Sequence, residues 1–425
     1  MTVTMIGTMI VCFALSVSIA VSIGLASIVG IQASNANMLL LAKEIFTSIN
    51  KFPLAAIPFF ILAGTLMESG GISQRLVDFA KSLVGGVQGG LAATCVLTCL
   101  IFASVSGSSV ATTFAIGAIL VPALIRHGYP RNYAAALQAT SAELGVIIPP
   151  SIPLILYGVS AEVSIGELFI AGFGPGVLIA AALMAFVIIN ARMNGYGRND
   201  REGKMPVLVA AKKAWLALLM PVIILGGIYG GIFTPTEASA VAVCYAFVLG
   251  VFIYRETKIS DLGKVLKKAV ISSAVIMFII ANAGLFSFII TRAGVPAAIG
   301  QYLSTVLENP MLFLLGVNAA LFVIGMFIET SAAIIVLAPI LVPVAIQFGV
   351  DPVHFGMIMI INLALGMITP PFGVNLFAAC TVAKIPLDNI VSKLIPFVLL
   401  IIGCLAIVTY FPPLSLFLRD LVYMR

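Results

Sequence analysis

Apolar residues fill blocks at 5–31, 54–69, 133–157, 168–192, 214–233, 237–254, 267–290, 353–380 and 391–413, separated by short polar or glycine-proline loops. Most of these blocks match the roughly 20 residues that a helix needs to cross a bilayer. None alternates with the period of two that barrel strands require. The pattern predicts an all-α polytopic membrane protein. The block at 5–31 has no Lys or Arg before Lys43 and is longer than the apolar core of a secretory signal. It predicts a first helix that is retained.

Two further apolar runs behave differently. Residues 90–126 are cut by Ser104-Val-Ser106-Gly107-Ser108-Ser109, and residues 311–347 by Gly325-Met-Phe-Ile-Glu329-Thr330-Ser331. Each run reads either as two short tilted spans or as a re-entrant hairpin that enters and leaves by one face. Polar, non-helical backbone at membrane depth persists only where protein or a cavity surrounds it. The hairpin reading is adopted because it makes the rest of the topology consistent.

The two hairpins belong to a duplicated unit. With an offset of 221 positions and no gap, Pro122 matches Pro343, Gly128 matches Gly349, and Leu144-Gly145 matches Leu365-Gly366. Pro149-Pro150 likewise matches Pro370-Pro371, and Pro175 matches Pro396. Upstream, Gly71-Ile72 aligns with Gly294-Val295 after a shift of two. Counting hairpins as no crossing leaves three spans per repeat and two between them, so the copies are inverted. Such inverted repeats with matched breaks mark secondary transporters. The chain then divides into 1–53, a first repeat at 54–192 (hairpin 90–126, broken helix 133–157), a link at 193–266, a second repeat at 267–413 (hairpin 311–347, broken helix 353–380), and a tail at 414–425.

Composition sharpens this picture. Hydrophobic residues make up 61% and charged residues 9%, with a mean hydropathy of +1.20. Soluble domains carry about 25% charged residues, so the net charge of +6 reflects loop placement and gives no reason to expect nucleic-acid binding. Under the hairpin topology, 17 basic residues fall on one face: Arg75, Lys81, Arg126, Arg131, Arg192, Arg198, Arg201, Lys204, Lys212, Lys213, Arg255, Lys258, Lys264, Lys267, Lys268, Lys384 and Lys393. Only five, Lys43, Lys51, Arg292, Arg419 and Arg425, fall on the other. Basic loops favour the cytoplasm, which puts the N-terminus inside and the C-terminus outside. Cys12, Cys95, Cys99, Cys244, Cys380 and Cys404 all lie in or beside apolar runs and read as packing residues.

The chemistry should sit at the breaks. Proline removes an N–H and pushes away the carbonyl four residues back, so each Pro-Pro pair frees backbone oxygens. Free carbonyls beside hydroxyls suit a small alkali cation. Sodium is expected at Ser106, Ser109, Gly145 and Ile148 in the first half-site, and at Gly325, Thr330, Gly366 and Thr369 in the second. The alternative is that the hydroxyls only bond back to helix carbonyls and the prolines only kink. A solute would lie between the tips, where restarting helices present free N–H groups to a carboxylate. Ser108, Thr112, Thr113, Asn362 and Asn375 are the candidates to hold it. Glu143 and Glu329 are intramembrane acids, read either as proton carriers or as hydrogen-bonding groups. Glu237, after Thr234-Pro235-Thr236, reads as helix-start chemistry.

Several stretches together resemble one family. Gly226-Gly-Ile-Tyr-Gly-Gly-Ile-Phe-Thr-Pro-Thr-Glu237-Ala, the break Leu144 to Ser151, and Pro58-Phe-Phe-Ile-Leu-Ala-Gly64 resemble the large membrane subunit of tripartite ATP-independent periplasmic (TRAP) transporters, the DctM-like subunit. The likeness covers essentially the whole chain and looks nearest to the sialic-acid branch, while C4-dicarboxylate members share the motifs. It implies an elevator-type, sodium-driven importer of organic acids in the bacterial inner membrane. It also implies a separate small four-helix membrane subunit and a periplasmic substrate-binding protein. Hairpins and broken helices would move, and the other helices would form a scaffold with Asn37 to Lys51 lying along it. A stand-alone elevator carrier for divalent anions is the rival. An intramembrane enzyme is disfavoured: the chain has no His-Glu-x-x-His and no Gly-x-Gly-Asp motif.

Overall fold

The computed structural model describes residues 2–33, 37–198, 200, 205–306 and 309–423, and every regular element among them is helical. Arg201, Lys204 and Arg425, which entered the count of basic loops, lie outside these residues. The N-terminal block departs from expectation. In place of one span over 5–31, α1 (Thr2–Ala14) and α2 (Ile19–Ala33) fold back on each other, with Met5 packed where a side chain on Gly30 would stand. The turn explains the fold-back. Ser16 adopts φ 58°, and the N–H groups of Ser16 and Val17 cap the carbonyls of Phe13 and Cys12 at 3.0 Å, a Schellman closure. At about 1.5 Å per residue, arms of 13 and 15 residues fall short of the roughly 30 Å hydrocarbon core. The expected cytoplasmic N-terminus thereby loses the single crossing on which it rested.

Next come the amphipathic α3 (Leu39–Ile49), a 3₁₀ turn at Phe52–Ala55, α4 (Ala56–Ser69) and α5 (Ile72–Val84). The first repeat continues through α6 (Gly90–Ser106), α7 (Ser109–Arg126), α8 (Arg131–Ala142), α9 (Leu144–Ile147), α10 (Ile152–Ala161), α11 (Ile165–Ala171) and α12 (Phe173–Asn194). The helices α13 (Val207–Tyr229) and α14 (Pro235–Phe247) lie between the repeats, and α15 (Leu262–Arg292) carries the expected first span of the second repeat. Thr234 and Glu237 form a capping box at the start of α14, as the sequence indicated. The second repeat continues through α16 (Val295–Val306), α17 (Pro310–Gly325), α18 (Thr330–Gln347), α19 (Pro352–Met367), α20 (Val374–Ala383) and α21 (Asp388–Tyr410), and α22 (Pro413–Tyr423) follows. The expected boundaries at 192/193 and 266/267 fall inside α12 and α15. The expected span at 391–413 ends at Tyr410. Among the described residues, eight helices are long and apolar enough to cross a membrane, and α7 and α18, each an arm that the hairpin reading counts as no crossing, are two of them. The pair Arg131–Ile147 and Ile152–Ala161 adds a broken span bent by 43°.

Several positions that the sequence pairs between the two copies share local geometry. Gly71 and Gly294 both have positive φ and start the helices α5 and α16. Gly128 and Gly349 both close Schellman turns, with Tyr129 N–H on Leu124 and Val350 N–H on Ala345. Pro149-Pro150 and Pro370-Pro371 are both cis. The packing is exchanged between copies: α7 lies on α20 and α18 lies on α10.

Both interrupted runs are pinned at their outer ends. Asp200, fully buried, accepts hydrogen bonds from Leu91 N (3.0 Å) and the Tyr129 hydroxyl (2.7 Å) and lies 3.2 Å from His127 Nδ1. It thus ties the start of α6 to the end of α7. At the second hairpin the rings of Phe313 and Phe348 stack at 4.4 Å, joining the start of α17 to the end of α18. Lipid gives helices little hydrophobic reason to associate, so small residues that permit close approach matter more. The run Ala134-Ala-Ala136 on α8 is buried throughout. The backbones of Gly325 and Gly366 touch: a Cβ at Gly366 would lie 2.3 Å from the Gly325 carbonyl carbon, and one at Gly325 would be tight against Leu363 and Gly366 at 3.1–3.2 Å.

Candidate functional site

The first tip owes its geometry to spacing. Gly107 turns the chain at φ 61°, and Ser108 caps α7 by accepting from Ala111 N. The sequence Ser108-Ser109-Val-Ala-Thr112-Thr113 then places hydroxyls at i and i+4 twice, on two adjacent stripes of one helix. The first stripe faces the break. Thr112 Oγ1 donates to Ser108 O at 2.8 Å and stands 3.1 Å from Ser106 Oγ, which reaches Ser108 O at 3.1 Å. Gly145 packs directly on them, because a Cβ there would lie 2.9 Å from both Ser108 O and Thr112 Oγ1. Pro149 has no N–H to offer the Gly145 carbonyl, and Ile148 leaves the helix with extended backbone. Ser151 restores part of the lost bonding by donating to Val146 O at 2.6 Å. Ile152 N donates to Gly107 O at 3.2 Å, locking tip to break. The structure therefore gathers Ser106, Ser108, Thr112 and Gly145.

The second stripe faces elsewhere. Thr113 donates to Asn375 Oδ1, while Asn375 Nδ2 donates to Ala139 O (3.1 Å) and Glu143 Oε1 (2.7 Å). Ser109 faces the Glu143 carboxyl, to which its hydroxyl can donate. Thr113 and Asn375, expected to bind solute, are thus used in a buried cluster that joins α7, α8 and α20. The sequence carried one signal for this, the doubled i, i+4 hydroxyls. It carried none for the partner on α20.

The second tip has the same place in the fold and different atoms. Glu329 caps α18, accepting from Ser331 N (2.9 Å), Ala332 N (3.2 Å) and Ser331 Oγ (2.8 Å). Thr330 Oγ1 points at the Met367 sulfur, a weak acceptor. The Gly366 carbonyl accepts from Thr369 N at 2.9 Å, and the Thr369 hydroxyl bonds back to Leu365 O at 2.8 Å. Gly325, Thr330, Gly366 and Thr369 are adjacent, with part of their hydrogen-bonding capacity already used. Asn362 of α19 pairs with Asn318 of α17, which in turn donates to Thr409.

A cavity of ≈ 360 Å³ opens beside the first tip, lined by Ser106, Ser108 and Phe114 of the hairpin and by Gly64, Thr65 and Lys268 of α4 and α15. Lys268 Nζ pairs with Glu68 at 2.7 Å on its rim. No cation was visible at either break in the sequence; the fold brings one in from another helix. Among the described residues, no three His, Cys, Asp or Glu side chains cluster as a metal site.

Comparison with known proteins agrees with this architecture. Residues 6–414 match the family model of the tripartite ATP-independent periplasmic transporter, DctM component. The chain is 43% identical over 380 residues to the C4-dicarboxylate TRAP transporter large permease protein DctM of Pseudomonas aeruginosa, covering 89% of each chain. It is 38% identical, again over 89% of each, to the sialic acid TRAP transporter large permease protein SiaM of Vibrio cholerae. Among solved structures, the Alcanivorax borkumensis YdaH transporter aligns with a TM-score of 0.63 at 14% identity, covering 88% of this chain and 87% of that one. That likeness speaks for the fold alone. With residues 6–414 matched by the family model, the chain belongs to the DctM family of TRAP transporter large permeases, a membrane transport component and not an enzyme.

Proposed function

We propose that this chain is the large membrane subunit of a sodium-coupled importer of a small organic acid. The observation that carries the reading is the cluster of Ser106, Ser108 O, Thr112 and Gly145 between a hairpin tip and a proline-broken helix. Neutral hard oxygens packed there suit an alkali cation. The second tip and break would hold a further sodium ion once Thr330 and the Gly366 carbonyl turn inward. The solute carboxylate lies beside the first tip, where Lys268 and the serine hydroxyls line the cavity. The reciprocal packing of α7 on α20 and α18 on α10 supports inverted repeats moving as one body against α3, α4 and α13–α15, the elevator arrangement.

The family supports two partners in the inner membrane and periplasm: a separate small four-helix membrane subunit and a substrate-binding protein that delivers the solute. Relatives named for C4-dicarboxylates and for sialic acid both handle organic acids. The 43% identical DctM makes a C4-dicarboxylate the first solute to test, ahead of sialic acid.

The test is uptake of radiolabelled succinate, then sialic acid, into proteoliposomes holding this subunit and its small partner under an inward sodium gradient. Uptake that requires both sodium and binding protein is expected. Uptake with sodium alone would replace this reading with a stand-alone carrier. Uptake driven equally by potassium would remove sodium from the mechanism.

A further inference from the structure

Two short helices occupy matched places in the copies. α5 joins α4 to the first hairpin, and α16 joins α15 to the second. Each follows a glycine of positive φ, Gly71 or Gly294. Their ends are held in opposite ways.

The elbow before α5 is fastened to the end of α14. There the chain opens into a π-helical turn at Val248–Ile253, a rare form that recurs at functional positions. Beyond it the N–H groups of Glu256 and Thr257 both donate to Gly250 O at 3.1 Å. Gly250 lies against Gly70, whose Cβ would stand 3.0 Å from the Gly250 Cα. Glu256 fills the space that a side chain on Gly71 would need, and Thr257 Oγ1 stands 3.2 Å from Ser69 Oγ. Arg75, one turn into α5, closes the clamp. It donates to Gly71 O at 2.8 Å and to Glu256 Oε1 at 2.6 Å, and its guanidinium carbon lies 3.8 Å from the centre of the Tyr254 ring. An exposed ion pair alone holds little. This one is backed by backbone contact and by a cation–π face.

α5 packs on both α13 and α6, so the elbow decides which of them it follows. Beyond α5 the chain runs Gly85-Gly86-Val87-Gln88-Gly89. Gln88 Nε2 donates to Tyr196 O at 3.1 Å and to Ala191 O at 3.3 Å, and Gly89 packs on Ala191. This end is therefore tied to α12. Between the two fastened ends lie Gly85 and Gly86, which without a Cβ can absorb a large change of φ and ψ.

The second copy reverses the arrangement. A Cβ on Gly294 would meet nothing within 4 Å. Among the described residues no ion pair bridges that elbow. The far side of α16 is the fastened one: Gln347, at the end of α18, covers Gly300, and α16 packs more extensively on α18 than on α15.

We propose that the two arms bend at opposite ends. α5 stays with the scaffold through the clamp of Arg75, Glu256 and Tyr254, and the chain bends at Gly85-Gly86. α16 travels with the second hairpin, and the chain bends at Gly294. This rests on the reading above of a body moving against a scaffold. Arg75 is a positioning residue for transport: it sets the angle of the arm from which the first hairpin hangs.

The experiment measures distances between pairs of spin labels in the large subunit, held with its small partner in nanodiscs, in a background without the native cysteines. Each pair is measured with sodium and succinate and again in sodium-free buffer. The labelled positions Leu83, Met193, Trp215, Val275, Tyr302 and Ile346 are all exposed. Met193 with Trp215 reports the body against the scaffold and is expected to change. Leu83 with Trp215 and Tyr302 with Ile346 are expected to stay fixed, while Leu83 with Met193 and Tyr302 with Val275 shift. Arg75→Ala is expected to broaden the Leu83–Trp215 distribution and to lower the maximal rate of uptake several-fold with the solute KM unchanged. Arg75→Lys, which keeps the pairing to Glu256, restores both in part. A shifting Leu83–Trp215 pair, or a fixed Tyr302–Val275 pair with a shifting Tyr302–Ile346 pair, would overturn the proposal. A sharp Leu83–Trp215 distance and wild-type uptake in Arg75→Ala would remove the clamp from it. If Met193 and Trp215 keep one separation in a complex that takes up solute, the moving-body reading itself falls.

Discussion

The two hairpin tips occupy matched positions in a duplicated unit, yet they are chemically unlike. The first presents Ser106, Ser108, Ser109, Thr112 and Thr113; the matched positions of the second are Phe327, Glu329, Thr330, Ala333 and Ile334. Hydroxyl oxygens thus gather at one tip, while a single capping carboxylate organises the other. The breaks differ in the opposite sense: Ile148 at the first is matched by Thr369 at the second. The difference teaches that duplication preserved the backbone device, a tip abutting a Pro-Pro break, while the polar side chains around it diverged. Backbone geometry depends on glycine and proline at fixed positions.

The comparison can be broken at its shared element first. Gly366→Ala drives a Cβ into the Gly325 backbone, which cannot move aside as a flexible side chain would. Overpacking costs about 1–3 kcal/mol, occasionally more. The expected result is loss of uptake with a lowered melting temperature. Gly145→Ala meets Ser108 O and Thr112 Oγ1 at 2.9 Å and should impair uptake less, chiefly through weaker sodium dependence. Equal damage at both positions would mean that the breaks are packed alike after all.

A smaller effect separates the two proposed sodium sites. Ser106→Ala removes a hydroxyl that converges on Ser108 O and Thr112 and should raise the half-saturating sodium concentration about tenfold, a loss near 1.4 kcal/mol. Thr330→Val removes a hydroxyl that faces sulfur and should change it less. A larger shift for Thr330→Val in sodium-titrated uptake would show that the second site rearranges to use that oxygen.

The smallest effect lies at the outer ends. Burial pushes the Asp351 carboxyl up, but Arg419 and the N–H groups of His354 and Val353 outweigh it and hold the acid below the ordinary aspartate range. A depressed folded value means stability that is present above the unfolded value, about 4, and is lost as pH falls through the folded one. Acid titration of melting temperature should therefore destabilise the wild type below about pH 4 more than Asp351→Asn. Parallel curves would show that the Arg419 pair contributes nothing to this end of the molecule.

Most of the helical architecture was legible because it is written in local signals. Gly128 and Gly349, the Pro-Pro pairs and the polar interruptions at 104–109 and 325–331 each impose a turn or break that neighbouring residues cannot override. The paired α1 and α2 were not legible, since an apolar block of 27 residues has the same composition whether it crosses once or folds back at Ser16. Pairings distant in sequence were also hidden: Asn375 with Glu143, Asp200 with Leu91 and Tyr129, and Lys268 beside the first tip all depend on tertiary approach. Lys268 in particular looked like one more basic loop residue.

The claim beneath this comparison is that the two copies enter the membrane from opposite faces, so that their tips meet. Arg126 and Gln347 are matched, exposed residues at the outer ends of the two hairpins. Each is replaced by cysteine in a background without the native cysteines and treated with a membrane-impermeant maleimide in right-side-out and inside-out vesicles. The account predicts labelling of Gln347→Cys only from the outside and of Arg126→Cys only from the inside. Labelling of both from one face would contradict it.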